Sequence, residues 1–148
     1  RIMKRFKMLV MLFSFFMAQQ AVGHTFEPVA LTEDDQAEIR SVVRQQMFAI
    51  DENNAEMAFA FASPGVQETF ETSDRFLFMV RRGYSALYKP RHVEFLDLTV
   101  VNGEMVQPVR LVAQDGGVEV ALYQMQRQDD KQWRINGCDL AKSDLTSL

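Results

Sequence analysis

Cysteine and histidine are scarce in this chain. Its 148 residues include one cysteine, Cys138, and two histidines. A single cysteine excludes an internal disulfide and a cysteine-based zinc site, and two histidines exclude most histidine-rich metal centres. A catalytic thiolate needs a nearby base or positive charge, and nothing in the spacing requires one beside Cys138. We therefore predict a buried structural thiol at position 138 and no bound metal.

The chain also lacks an excess of positive charge and the common cofactor and catalytic motifs. Sixteen Lys and Arg residues against twenty Asp and Glu residues give a net charge of −4, which argues against a nucleic-acid partner. Phosphate-binding loops, serine nucleophile elbows, HExxH and CxxC are absent from the sequence. We expect no cofactor. With seven Gly and four Pro, the composition is that of one globular domain.

The first 23 residues have the pattern of a signal peptide. Residues 1–7 carry four positive charges, residues 8–18 are almost entirely apolar, and residues 21–23 are Ala-Val-Gly, a small-x-small cleavage site. The apolar run is shorter than the roughly 20 residues that cross a bilayer. We predict a signal peptide over 1–23 and one exported α+β domain over 24–148, with its core at about 32–140. The alternative is an uncleaved N-terminal anchor.

A signal of this length without a lipobox cysteine suggests a bacterial periplasmic or secreted protein, with no stable membrane span after cleavage. Cleavage would remove four basic residues and no acidic one, so the mature domain would be strongly acidic.

Helical spacing dominates the N-terminal half. Thr32 is a predicted N-cap, and apolar residues from Ile39 to Ile50 recur at the spacing of one helical stripe. A second short helix is predicted over about 55–62, and a further helical turn is predicted to begin at Pro64. A fourth is predicted from an N-cap at Ser73 or Asp74 to Gly83.

After Pro90 the spacing changes to that of strands. Four antiparallel strands are predicted, at about 91–101, 104–115, 118–127 and 133–140. Asn102-Gly103 is a strong hairpin signal, and Gly116-Gly117 is predicted to form a second tight turn. Helices segregated from an antiparallel sheet define the α+β class.

The hairpin turns predict which side chains share a face of the sheet. If Val101 pairs with Glu104 and Asp115 with Val118, both faces are partly apolar. One predicted face holds His92, Glu94, Leu96, Leu98, Val100, Val109, Leu111, Leu122 and Gln124. The other holds Val93, Phe95, Asp97, Val106, Val112, Ala121, Tyr123 and Met125. The helices can cover one face, so we predict a homodimer packed through the other. A bulge near Pro108 would change these faces.

Four segments resemble a known family: FAFASPGVQETF, FLFMVRRGYSALYKP, ALYQM and WRINGCDL. They are similar to a bacterial family of exported domains of unknown function, number 4864, over about residues 33–140. That resemblance implies no activity. In that family, helices are followed by a curved sheet, and this order resembles that of the cone-shaped nuclear-transport-factor-2-like superfamily. This superfamily includes ketosteroid isomerase, dehydratases, cyclases and non-enzymatic binding modules, so the fold alone does not imply a function.

A cone of this kind would place a ligand site among aromatic, amide and carboxylate side chains. The candidate ligand-binding residues are Tyr84, Tyr88, Glu94, Gln124 and Asn136. Acid–base chemistry would use Glu94 or Asp97 with Tyr84, Tyr88 or Tyr123, as an Asp and a Tyr cooperate in ketosteroid isomerase. Alternatively, Glu94 and Asp97 are surface residues or are paired with Arg110 or Arg134. The amides could form a polar subsite or a solvated stripe.

These patterns favour a non-enzymatic module that binds a small apolar ligand or a protein. The alternative is a small lyase or isomerase that acts on an apolar substrate through a pocket carboxylate and a tyrosine. A third possibility is a structural dimer with no pocket. A carboxylate enclosed in an apolar pocket would favour the enzyme, whereas one open to solvent or paired with arginine would favour the binding module.

Overall fold

The computed structural model describes residues 31–142, in which four α-helices precede an antiparallel sheet. The helices are α1 (Glu33–Asp51), α2 (Ala55–Ala60), α3 (Pro64–Phe70) and α4 (Ser73–Gly83), followed by the 3₁₀ helix Ser85–Leu87. The strands are β1 (His92–Phe95), β2 (Thr99–Val101), β3 (Glu104–Val112), β4 (Val118–Arg127) and β5 (Trp133–Lys142). The α+β prediction is confirmed. The predicted signal peptide lies outside the described residues. No helix within 31–142 has the length and hydropathy needed to cross a membrane.

Helix α1 begins as predicted, with Thr32 as its N-cap. The Thr32 hydroxyl accepts a hydrogen bond from the Asp35 amide over 3.1 Å, and the Asp35 carboxylate accepts one from the Thr32 amide over 3.0 Å. This reciprocal capping box satisfies two amides that the first helical turn leaves unpaired. The apolar stripe of α1 is buried in the core.

Side chains of α1 also join the helix to β5. The indole Nε1 of Trp133 donates to Asp35 over 3.1 Å, and the Trp133 amide donates to Glu38 over 3.0 Å. These bonds connect the start of the first helix to the start of the last strand.

The boundaries of the later helices differ from the prediction by one or two residues. The N-cap of α4 is Thr72 rather than Ser73 or Asp74, because the Thr72 hydroxyl accepts from the Arg75 amide over 3.2 Å. Helix α3 begins at Pro64, as predicted, behind its N-cap Ser63.

The sheet has five strands in the order β1-β3-β4-β5, with β2 also paired to β3. The predicted first strand is broken into β1 and β2 opposite Pro108. The Pro108 carbonyl accepts from the Leu96 amide over 3.0 Å, but proline has no amide to return that bond. Instead, the buried Gln107 side chain donates to the Leu96 carbonyl over 2.7 Å. The pairing shifts by one residue across this point, from Phe95 with Val109 to Thr99 with Val106. The strand therefore has an irregularity near Pro108, where the sequence allowed a bulge.

The Asn102-Gly103 turn is confirmed, with φ angles of 50° and 78°. The predicted Gly116-Gly117 turn is wrong, because the β3–β4 ladder closes at Val112 and Val118 and leaves residues 113–117 as the loop. The Asp115 side chain accepts from the Gly117 amide over 2.8 Å, which holds this segment in a local turn.

These two shifts correct the predicted faces. Val109 and Leu111 share a face with Val93 and Phe95, and not with His92 and Glu94. The inner face, which packs on the helices, is mostly apolar and contains Val109, Leu111, Ala121, Tyr123 and Met125. The outer face carries His92, Glu94, Pro108, Arg110, Val112, Val118, Val120, Leu122, Gln124 and Asp139. It is a mixed surface that is partly apolar, as predicted.

Candidate functional site

A cavity of about 420 Å³ lies between the helices and strand β5. Its walls come from α1, α3, α4, the 3₁₀ helix and the middle of β5. Most of the lining is apolar: Ile50, Ala62, Val66, Phe70, Phe76, Met79, Val80, Leu87 and Ile135. A concave apolar site with a few polar groups is the usual form of a small-molecule site.

The segment before α3 forms one wall because it pairs with the edge of β5. The Ile135 amide donates to the Phe61 carbonyl over 2.9 Å, and the Ser63 amide donates to the Ile135 carbonyl over 2.8 Å. Next to this pairing, β5 has a bulge in which Asn136 is the extra residue, because Gly137 pairs with Gln124 and Ile135 with Met125. The bulge places Asn136 in the cavity lining.

Asn136 is held by a buried hydroxyl. The Ser63 hydroxyl donates to Asn136 Oδ1 over 2.7 Å and accepts from the Val66 amide over 3.3 Å as the N-cap of α3. Ser63 therefore fixes both the start of α3 and the orientation of the Asn136 amide.

A second amide enters the cavity from α1. Gln46 lies on the buried stripe of that helix, is 3% exposed, and lines the cavity. Its Nε2 donates to the Ala58 carbonyl over 3.1 Å. A buried polar group that lacks its partners is costly, so this bond holds the amide in one orientation.

Tyr84 and Cys138 are the two ionisable side chains among the described lining residues. Burial, and then the nearby Cys138 and Asp139, raise the pKa of the Tyr84 hydroxyl above its usual range. Burial and then Asp139 raise the pKa of the Cys138 thiol to about 12. Both groups are therefore protonated at neutral pH. The thiol at position 138, predicted to be buried, is partly buried and lies at the cavity wall.

Two of the five predicted ligand-binding residues line the cavity, Tyr84 and Asn136. Glu94 lies on the outer face of the sheet, 3.8 Å from Arg110, with half of its side chain exposed. Gln124 is also on the outer face and donates to Asp139 over 3.2 Å. Tyr88 lies outside the cavity, with Arg81 and Lys89 near its ring. These three residues therefore do not line the cavity, because the shifted registers reverse the faces and the 3₁₀ helix separates Tyr88 from Tyr84.

The carboxylate and tyrosine of the enzyme hypothesis do not meet in this cavity. Neither Asp nor Glu occurs among its described lining residues, and Asp97 is exposed. Within residues 31–142 there is also no cluster of three or more side chains suited to a metal ion.

Gln46 and the wall formed by α3 were not predicted from the sequence. One signal was available for Gln46, because a glutamine within an otherwise apolar helical stripe must be buried with a partner. Nothing in the sequence indicated that the segment before α3 would pair with β5, since that contact joins residues about 70 positions apart.

Comparison with solved structures identifies a similar fold. A protein of unknown function with a cystatin-like fold from Nostoc punctiforme shares 11% sequence identity with this chain, at a TM-score of 0.51. The alignment covers 78% of this chain and 96% of that one. At this identity the likeness shows the fold alone, and membership of the nuclear-transport-factor-2-like superfamily stays a prediction. No curated protein matches the chain.

The family model described as "Domain of unknown function (DUF4864)" matches residues 32–147. This match covers most of the chain and includes all four segments that carried the resemblance. The chain therefore belongs to the DUF4864 family.

Proposed function

We propose that this protein is an exported, non-enzymatic module that binds a small apolar molecule in the cavity between its helices and β5. The single observation that carries the proposal is the lining of the 420 Å³ cavity, which is mainly apolar and has no charged side chain among the described residues. Such a site favours transfer of an apolar molecule from water. The charge pattern of residues 1–23 supports export.

A neutral fluorophore tests this proposal. Nile red is titrated into protein purified from a bacterial host that expresses the full chain, and its emission is measured. We expect saturable, blue-shifted emission. The Met79→Trp variant places a larger ring in the lining and should weaken binding about tenfold or more, which corresponds to about 1.4 kcal/mol.

The matched control is Phe78→Trp, one residue earlier on α4 and 61% exposed. It should bind Nile red like the unchanged protein. Absence of saturable binding, or equal weakening by both substitutions, would overturn the proposal.

We further propose that two copies pair through the outer face of the sheet. Val112, Val120 and Leu122 form an apolar centre there, and none of them is fully buried. Charges of both signs surround that centre, which suits the self-complementary surface of a two-fold dimer. Analytical ultracentrifugation should show a dimer that Leu122→Glu converts to a monomer. A monomer for the unchanged protein at high concentration would refute the pairing.

We also propose that the fold belongs to the nuclear-transport-factor-2-like superfamily. The order of helices before the sheet, and a cavity between the two layers, support this assignment.

A further inference from the structure

We infer that the ligand is electrically neutral: an apolar body with one hydroxyl or amide group, held by the side-chain amides of Gln46 and Asn136. This inference rests on the proposed function and specifies its ligand. It starts from the described lining residues, among which Asp, Glu, Lys, Arg and His do not occur.

A charged group within this cavity would have no partner of opposite charge among those residues. Burial of an ion without such a partner is strongly unfavourable. Tyr84 and Cys138 do not supply a charge either, because burial raises the pKa of both groups and keeps them protonated at neutral pH. The cavity therefore favours a ligand whose polar group carries no charge.

Gln46 presents a hydrogen-bond acceptor to the ligand. Its Nε2 donates to the Ala58 carbonyl, which can only accept, so the opposite side of the amide is Oε1. Among the hydrogen bonds of residues 31–142, the Gln46 side chain takes part through Nε2 alone. The side chain is almost fully buried and lines the cavity, so a donor on the ligand would satisfy Oε1.

Asn136 presents a hydrogen-bond donor. The Ser63 hydroxyl already accepts from the Val66 amide, so its own proton is directed to Asn136 Oδ1. Nδ2 is then the side of the Asn136 amide that remains for the ligand. An acceptor from Gln46 and a donor from Asn136 together match a hydroxyl or an amide, because each of these groups both donates and accepts.

A series of three ligands with the same chain tests the inference. 1-Decanol, decanoate and decylammonium compete with Nile red for the unchanged protein near neutral pH. We expect decanol to bind about tenfold or more tightly than either charged analogue. Binding of decanoate or decylammonium as tight as that of decanol would overturn the inference, because the charge would then be accommodated.

A pair of variants tests the role of Gln46. Gln46→Met keeps the volume of the side chain but removes the acceptor. It should weaken the binding of decanol about fivefold or more. Nile red has no hydrogen-bond donor, so its binding should change by less than about twofold, which shows that the cavity is intact. The control is Gln45→Met, an exposed neighbour on α1, which should leave both affinities unchanged. Unchanged decanol binding by Gln46→Met would overturn the inference.

The two proposals fail in different ways. If Nile red does not bind the unchanged protein, the proposed function fails and the inference fails with it. If Nile red binds but decanol has no advantage over its charged analogues, the inference alone fails.

Discussion

The Ser63 hydroxyl lies 2.7 Å from Asn136 Oδ1 and donates a hydrogen bond to it, which joins the start of α3 to the bulge of β5. Ser63 is fully buried, although it lies at the end of a helix. Its hydroxyl is both the N-cap of α3 and the partner of the amide that enters the cavity. One serine therefore contributes to the stability of the fold and to the shape of the candidate site.

Ser63→Ala should lower the free energy of unfolding by about 2 kcal/mol, because it removes an N-cap and a buried hydrogen bond together. Urea denaturation followed by circular dichroism measures this change. Thr72→Ala is the control, since Thr72 caps α4 at an exposed position, and its cost should be about 1 kcal/mol. Equal costs for the two substitutions would contradict the dual role of Ser63.

Tyr123→Phe should stabilise the protein. Tyr123 is fully buried, and its hydroxyl has no hydrogen-bond partner among the described residues. Burial raises the pKa of this hydroxyl well above its usual range. Removal of an unpaired buried hydroxyl should raise the free energy of unfolding by about 1 kcal/mol. Thermal and urea unfolding measure the effect.

Tyr88→Phe is the control for Tyr123→Phe, because Tyr88 is only partly buried; it should change stability by less than about 0.5 kcal/mol. A loss of about 1 kcal/mol or more in Tyr123→Phe would mean that the hydroxyl has a partner after all.

Asp35→Asn should destabilise the protein in a pH-dependent way. Hydrogen bonds from the Thr32 amide, and then from Trp133, hold the pKa of Asp35 below its ordinary value of 3.8. A carboxyl whose pKa is lower in the folded state stabilises that state when it is ionised. This contribution to stability is fully present above the pKa that Asp35 has in the unfolded state. It is lost as the pH falls through the lower pKa that Asp35 has in the folded state.

The difference in unfolding free energy between the unchanged protein and Asp35→Asn should therefore be largest above about pH 5 and should narrow below about pH 4. Urea unfolding at a series of pH values measures it. Asp34→Asn removes the same charge from an exposed position in the first turn and serves as the control. A difference for Asp35→Asn that does not vary with pH would contradict the assigned role of its charge.

Cys138 should react slowly with iodoacetamide in the folded protein. Burial and then Asp139 raise its thiol pKa to about 12, so the thiolate fraction at neutral pH is far smaller than that of an ordinary thiol. The rate should rise about tenfold per pH unit between about pH 7 and 9, as thiolate chemistry requires. Mass spectrometry measures alkylation directly because the chain has one cysteine.

The control for this reaction is the same protein in concentrated urea, where the rate should be that of an ordinary thiol. Equal rates in the folded and unfolded protein would contradict a thiol that the fold keeps protonated.

The elements of this fold could be predicted from local signals, whereas their pairing could not. Thr32, Pro64 and Asn102-Gly103 each satisfy a local backbone requirement, and the structure confirms all three boundaries. The register depends on competition between turns. Asp115 stabilises a turn that closes the β3–β4 ladder at Val112, and no spacing rule favours this turn over Gly116-Gly117.

The candidate site was only partly predictable for the same reason. Tyr84 and Asn136 line the cavity as predicted, but Glu94 and Gln124 were placed by a register that Pro108 and the 113–117 loop alter. A shift of one residue moves a strand side chain to the opposite face. A small error in the predicted pairing therefore places the candidate residues on the wrong face of the sheet.

Methyl NMR of the protein with 1-decanol tests the proposed binding site most directly. If the ligand occupies the cavity, nuclear Overhauser effects should connect its alkyl chain with the methyl groups of Met79, Val80 and Ile135, which line the cavity. None should connect it with Val112 or Val120, which lie on the outer face of the sheet. Ligand contacts confined to the outer face, or no contacts with any methyl group, would refute binding in the cavity.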